Sequence, residues 1–304
     1  MTAPAAGSGG AALPARHLLL ALAVVAVWGT NFVVIKLALA TLPPLLFAVL
    51  RFAFVLLPAA LFIRRPPVPW RHLAAYGVLI GAGQFGLLYV AMRGHIAPGL
   101  ASLVIQTQVF FTIALAIVLA GERVRLFQWG ALALAVSGIA VIAWHTDAQT
   151  TPLGLALVLC AAASWAGGNL VARHSGKVDM LGYVVWSSLF ALPPLALLSL
   201  LLEGPQQIVQ ALAAADAGAW AAVLWQSVGN SLFGYAAWGW LLARHPAATI
   251  VPLALLVPVF GMGASALMLA EPLPAWKLGA AALVMAGLAL NLLWPRLRER
   301  LAAR

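Results

Sequence analysis

PGLASLVIQTQVFFTIALAIVLAGE, residues 98–122, carries no charge from Pro98 to Gly121 and then meets Glu122. At 1.5 Å per residue a helix of this length crosses about 30 Å, the hydrocarbon thickness of a bilayer. Stretches of the same kind, bounded by charge or by Pro and Gly clusters, recur along the chain. They run near 18–38, 44–63, 73–92, 98–119, 127–144, 153–172, 180–202, 218–242, 247–269 and 275–294. The 304 residues are 64% hydrophobic and 8% charged, with a mean hydropathy of +1.03. A soluble domain carries about 25% charged residues and must cover itself with polar groups that this chain lacks. The expectation is an all-α integral membrane protein of ten spans.

The opening stretch also has an echo. Gly121-Glu122 closes the fourth span and Ala270-Glu271 closes the ninth, 149 positions later. The same offset carries Gly130 to Gly279 and Gly138 to Gly287. Near the start of each half, Trp28…Asn31 in VWGTNFV is matched by Trp165…Asn169 in SWAGGNLV, with one residue more between them. Five spans is an odd number, so the second half enters the membrane from the opposite side. Such inverted repeats are the usual construction of alternating-access transporters. The expected organisation is a disordered tail over 1–16, a first repeat over 17–146, a second over 150–295 and a basic cytoplasmic tail over 296–304.

Lys and Arg set the orientation. With both termini cytoplasmic, 13 of the 17 basic residues fall inside: Arg16, Arg64, Arg65, Arg71, Arg123, Arg125, Arg173, Lys177, Arg244, Arg296, Arg298, Arg300 and Arg304. Only Lys36, Arg93 and Lys277 fall outside, and Arg51 lies within a span. The net charge of +10 then reflects anionic lipid at the cytoplasmic surface rather than nucleic acid. Arg16 and His17 precede a long apolar helix with no small-residue cleavage site, which reads as an uncleaved first span. The single cysteine, Cys160, excludes a disulfide framework and is expected as a buried, inert thiol.

Polar side chains at membrane depth are expensive and point to function. The first half offers Asn31, Lys36, Arg51, Gln84, Gln106 and Gln108; the second offers Asn169, Gln226 and Asn230, with Tyr235 and Trp238 nearby. Amides suit a zwitterionic ligand because each both donates and accepts, and they serve equally as glue between helices. Arg51 stands seven residues past Pro44, roughly 10 Å into the bilayer. All seven acids lie at helix ends or in loops, so its counter-charge is either a substrate carboxylate or Glu271. Lys36, nearer a helix end, is expected to snorkel. Trp28 and Trp165 each share a helix with an Asn one turn away and are candidates to line a pathway. Pro252 and Pro258 interrupt the ninth span and are candidates for a gate or hinge.

VWGTNFVVIK (27–36), Pro-Pro-Leu (43–45), Leu-Arg-Phe (50–52), PGLASLVIQTQVFFTI (98–113), Gly121-Glu122-Arg123, SWAGGN (164–169) and PLALLVPVFG (252–261) resemble the motifs of EamA-type transporters of the drug/metabolite transporter superfamily. The resemblance covers almost the whole chain. It implies ten helices in an inverted five-plus-five repeat and the export of amino acids or related metabolites. Within the superfamily the chain is most similar to exporters of cysteine and O-acetylserine, and more distantly to exporters of aromatic amino acids. The extra glycine in Ala166-Gly167-Gly168 departs from a strict correspondence of Asn31 with Asn169.

The expected function is export of small amino-acid-like metabolites from a bacterial inner membrane, with no cofactor and no metal, by a protein expected to be monomeric. Aromatic or hydrophobic amino acids and drug-like compounds are alternative cargoes, although a cation site would want the deep carboxylate that is missing. An integral-membrane enzyme would need a catalytic cluster at one depth, and the sequence shows none. A channel would favour a re-entrant filter loop. Gly81-Ala82-Gly83-Gln84-Phe85-Gly86 matches G-x-G-x-x-G, but no strand precedes it and Gly77…Gly81 in the same helix reads as a close-packing motif.

Overall fold

The computed structural model describes residues 13–120, 125–176 and 178–302; Gly121-Glu122-Arg123 and Lys177 lie outside them. The described residues form helices α1 (Ala15–Ala38), α2 (Pro44–Phe62), α3 (Trp70–Gly94), α4 (Pro98–Val118), α5 (Leu126–Trp144), α6 (Pro152–His174), α7 (Met180–Leu202), α8 (Pro205–Ala214), α9 (Ala217–Arg244), α10 (Ala247–Leu269) and α11 (Ala275–Ala302). Nine of these are long and apolar enough to cross a membrane. A tenth span is counted when α8 and α9, which meet at 103°, are taken together. The short α8 was not foreseen; the expected span began at 218, inside α9. Helix α1 starts at Ala15, within the expected tail, and α11 continues to Ala302 through the segment expected as a second tail.

The packing is two-fold symmetric. With α1–α5 matched in order to α6, α7, α9, α10 and α11, the contact of α1 with α10 corresponds to that of α6 with α4. That of α1 with α9 corresponds to that of α6 with α3, and that of α2 with α9 to that of α7 with α3. The pairs α2·α7, α4·α10 and α5·α11 map onto themselves. The halves therefore interlock rather than sit side by side. The repeat seen as glycines in the sequence has a packing cause: Gly138 on α5 abuts Ala280 and Val284 of α11, while Gly287 on α11 abuts Ala131 and Ala135 of α5. A side chain at either glycine would force the pair apart.

Irregularities obey the same symmetry. Leu79–Gly86 of α3 and Trp225–Phe233 of α9 are π-helical. Ile105–Thr107 of α4 and Val251–Leu256 of α10 are 3₁₀. π-Helical turns occur frequently at functional sites, and here they re-aim the polar residues of both third spans. The widened turn of α3 offers the Leu79 carbonyl to Ser164 Oγ at 2.8 Å. Gly77 and Gly81 press on Ser187 and Ala191 of α7, and Gly83 presses on Ser164 of α6. The G-x-G-x-x-G match is thus a packing surface.

Carboxylates and lysines work at the helix ends. Glu203 accepts from the N–H groups of Leu45 and Leu46 (2.6 and 2.9 Å) and from Ser199 Oγ, capping α2. Glu271 accepts from Gly99 N–H at 2.9 Å at the start of α4 and pairs with Lys277 at 2.9 Å. Lys36, expected to snorkel, donates to the last carbonyls of α3, those of Met92 and Arg93. Cys160, expected to be buried, is exposed on the outer face of α6. An apolar sequence does not distinguish a face turned to lipid from one turned to protein, and that ambiguity explains the error.

Candidate functional site

Arg51 is 1% exposed, near the middle of α2. Its Nη1 donates to Tyr89 Oη of α3 and its Nη2 to Ser231 Oγ of α9, each at 3.0 Å. The guanidinium lies 3.5 Å from the Phe85 ring centroid and 5.4 Å from that of Phe52. A desolvated cation–π contact of this kind contributes about 2 kcal/mol. Among the described residues no carboxylate joins the group, because Glu271, the protein candidate for its counter-charge, is committed to Lys277 and Gly99. Its Nε is buried and has no hydrogen-bond partner among the described residues. A buried charge is ordinarily paired, so this edge of Arg51 is open in the chemical sense.

The network extends from Tyr89, whose hydroxyl donates to Gln226 Oε1 at 3.0 Å. Gln226 Nε2 donates in turn to Asn31 Oδ1 at 2.7 Å. Ser227 Oγ lies within hydrogen-bonding distance of the Arg51 carbonyl, and Ser231 Oγ of the Gln226 carbonyl. Four helices, α1, α2, α3 and α9, thus meet in one polar knot inside an apolar bundle. Asn31, Arg51 and Gln226 of this knot are expected from the sequence; Tyr89, Ser227 and Ser231 are not.

An aromatic wall adjoins the knot. Trp28 Nε1 donates to the Asn230 carbonyl at 3.1 Å. Its ring lies 5.1 Å from that of Trp238 and 6.0 Å from that of Tyr235. Tyr235 neighbours Tyr76, and Tyr76 packs edge-on to Tyr183 at 4.9 Å. Tyr76, Tyr183 and Tyr235 therefore gather on facing surfaces of α3, α7 and α9. Gln84 and Asn230, at equivalent places in the two π-helical turns, are 5% and 6% exposed. Neither makes a side-chain hydrogen bond among the described residues, and each is the chain neighbour of a residue touching Arg51.

Other candidates stand apart. Asn169 Nδ2 donates to Gln108 Oε1 at 2.8 Å, a separate contact of α6 with α4. Gln106 is half-buried in the 3₁₀ turn of α4, and Trp165 packs on the core. Pro252 lies in the 3₁₀ turn of α10, and Pro258 is buried just beyond it. The pair brackets the change from 3₁₀ to α geometry.

A model of the EamA-like transporter family matches residues 15–144 and again 152–293. The chain is 42% identical over 286 residues to a "Probable amino-acid metabolite efflux pump" of Salmonella typhimurium, covering 92% of this chain and 96% of that one. It is 30% identical over 169 residues to the "Uncharacterized inner membrane transporter YedA" of Escherichia coli, covering 51% and 55%. A solved structure at 18% identity superposes with a TM-score of 0.61, covering 94% of this chain and all of its own, a likeness of fold. The protein is a multi-pass inner-membrane transporter and not an enzyme, and it belongs to the EamA-like transporter family.

Proposed function

We propose that the protein exports small amino-acid-like metabolites of the cysteine and O-acetylserine class, with Arg51 holding the substrate carboxylate. The observation that carries this reading is the buried Nε of Arg51, unpartnered among the described residues in a guanidinium that none of their carboxylates neutralises. A ligand carboxylate supplies both the missing charge and the missing acceptor. The efflux-pump name of the Salmonella relative supports cargo of the amino-acid kind.

Asn31, Gln84, Asn230 and Gln226 give neutral hydrogen-bonding groups around the anchor, and Trp28, Tyr235 and Trp238 form an apolar wall for a side chain. Gln106, Gln108, Trp165 and Asn169 extend the path along α4 and α6, while Pro252 and Pro258 let α10 bend at its 3₁₀ turn. Both termini are cytoplasmic, and the repeats over 17–146 and 150–295 exchange conformations around the knot. The aromatic wall favours a second cargo, aromatic or hydrophobic amino acids.

The test is cellular. The protein is overproduced in a bacterium beside an Arg51→Ala variant at equal membrane levels, and the medium is assayed for cysteine, O-acetylserine and aromatic amino acids. Raised cysteine or O-acetylserine that the variant abolishes is the expected result. Accumulation of none of these compounds would sink the cargo assignment.

A further inference from the structure

The chemistry around Arg51 is lopsided. Five of the six acids among the described residues are engaged at helix ends or in loops: Asp179 and Asp216 cap α7 and α9, Glu203 caps α2, Glu271 pairs with Lys277, and Asp147 accepts from its own loop. In the sequence Glu122 and Glu299 also fall at span ends. Among the described residues the middle of the bundle therefore holds one fixed cation, Arg51, and no fixed anion. The polar groups nearest the guanidinium, Tyr89, Ser231, Gln226 and Asn31, are all neutral.

A zwitterionic amino acid brings to this place a carboxylate that Arg51 attracts and an ammonium that it repels. At a separation of about 6 Å and an effective dielectric near 20, that repulsion lowers affinity by on the order of a hundredfold. The ammonium must also shed its water against neutral acceptors alone. An aromatic cage offers no escape. Trp28 lies 5.1 Å from Trp238 and 6.0 Å from Tyr235, ring centre to ring centre, so the rings pack on one another with no room for an ammonium between them. An amide nitrogen meets none of these penalties, and the amides of Gln84 and Asn230 serve its N–H as well as they serve a charged one.

We infer that the site reads the carboxylate and a neutral remainder but not the α-ammonium, so that its ligands include N-acylated amino acids and related monocarboxylate anions. This rests on Arg51 being the carboxylate anchor proposed above. The mono-anion neutralises the buried guanidinium, whereas the zwitterion leaves the occupied site with a net positive charge.

Three probes separate the two claims with the unaltered full-length protein in detergent at pH 7 under reductant: cysteine, N-acetylcysteine and cysteine ethyl ester. Binding is read from the thermal unfolding midpoint and from tryptophan fluorescence. The expected order is N-acetylcysteine tighter than cysteine by about a hundredfold, with no binding of the ester. Cysteine binding while N-acetylcysteine and the ester do not would overturn the inference and leave the Arg51 anchor standing. Ester binding equal to that of cysteine would overturn the anchor and the inference together. So would the absence of any shift at millimolar concentrations of all three.

Discussion

Arg51 Nη2 donates to Ser231 Oγ at 3.0 Å, joining the second helix of the first repeat to the third helix of the second across 180 positions of sequence. The bond crosses the interface that must rearrange if the repeats alternate. It also holds the guanidinium so that Nε is the nitrogen left over. Hydrogen bonds to charged groups contribute about 1.5–3 kcal/mol, so Ser231→Ala is expected to lower stability by roughly that amount in unfolding measurements in detergent. Export falls too, as Arg51 loses its register. Unchanged stability would mean that Ser231 does not hold the guanidinium.

Gln226 joins Tyr89 to Asn31 and belongs to both contacts at once. In membranes such interhelical bonds average about 0.6 kcal/mol when measured by double-mutant cycles. A cycle on Asn31→Leu and Gln226→Leu is expected to give a coupling of that order. A coupling indistinguishable from zero would show that the Asn31–Gln226 contact does not hold α1 to α9.

The spans, the inverted repeat and the depth of Arg51 were legible because each depends on local composition or on residue order. The knot was less so. Tyr89 and Ser231 are unremarkable in their own helices, and their partners lie far away in sequence. A signal did exist: Gln84 and Asn230 are 146 positions apart, and the same step takes Tyr89 to Tyr235. The offset of 149, read from the glycines of the last spans, concealed it because the spacing of the repeats shifts between the third and fifth helices. Pairing at helix ends was equally hidden. Glu271 looked free to reach Arg51, and only the chain path past Pro272 brings Lys277 to it.

That ion pair is itself testable. Glu271 and Lys277 are both about 5% exposed in their side chains, and removing one partner of a buried pair typically costs about 3–5 kcal/mol. Lys277→Met is expected to destabilise by that order in thermal unfolding. Glu271→Gln combined with Lys277→Met is expected to recover most of the loss, because no uncompensated charge then remains. A double variant as unstable as the single one would place the effect in packing.

The glycines of α5 and α11 give a test of the symmetry. Gly138 meets Ala280 and Val284, and Gly287 meets Ala131 and Ala135, the same pair of contacts turned about the two-fold. Gly138→Leu and Gly287→Leu are expected to destabilise by similar amounts, about 1–3 kcal/mol each for overpacking. A tolerated substitution at one and not the other would show that the two faces of the α5·α11 interface are not equivalent.

The last prediction concerns energy coupling. Carriers driven by protons or sodium usually place a carboxylate within the membrane to hold the ion, and here the acids stand at helix ends or in loops. Substrate flux in proteoliposomes is therefore expected to be indifferent to an imposed pH or sodium gradient and to accelerate with substrate on the opposite side, as in facilitated export or exchange. Flux that follows either gradient would demand an ion site built from neutral oxygens. The polar knot around Tyr89, Gln226 and Asn31 would then be the first place to mutate.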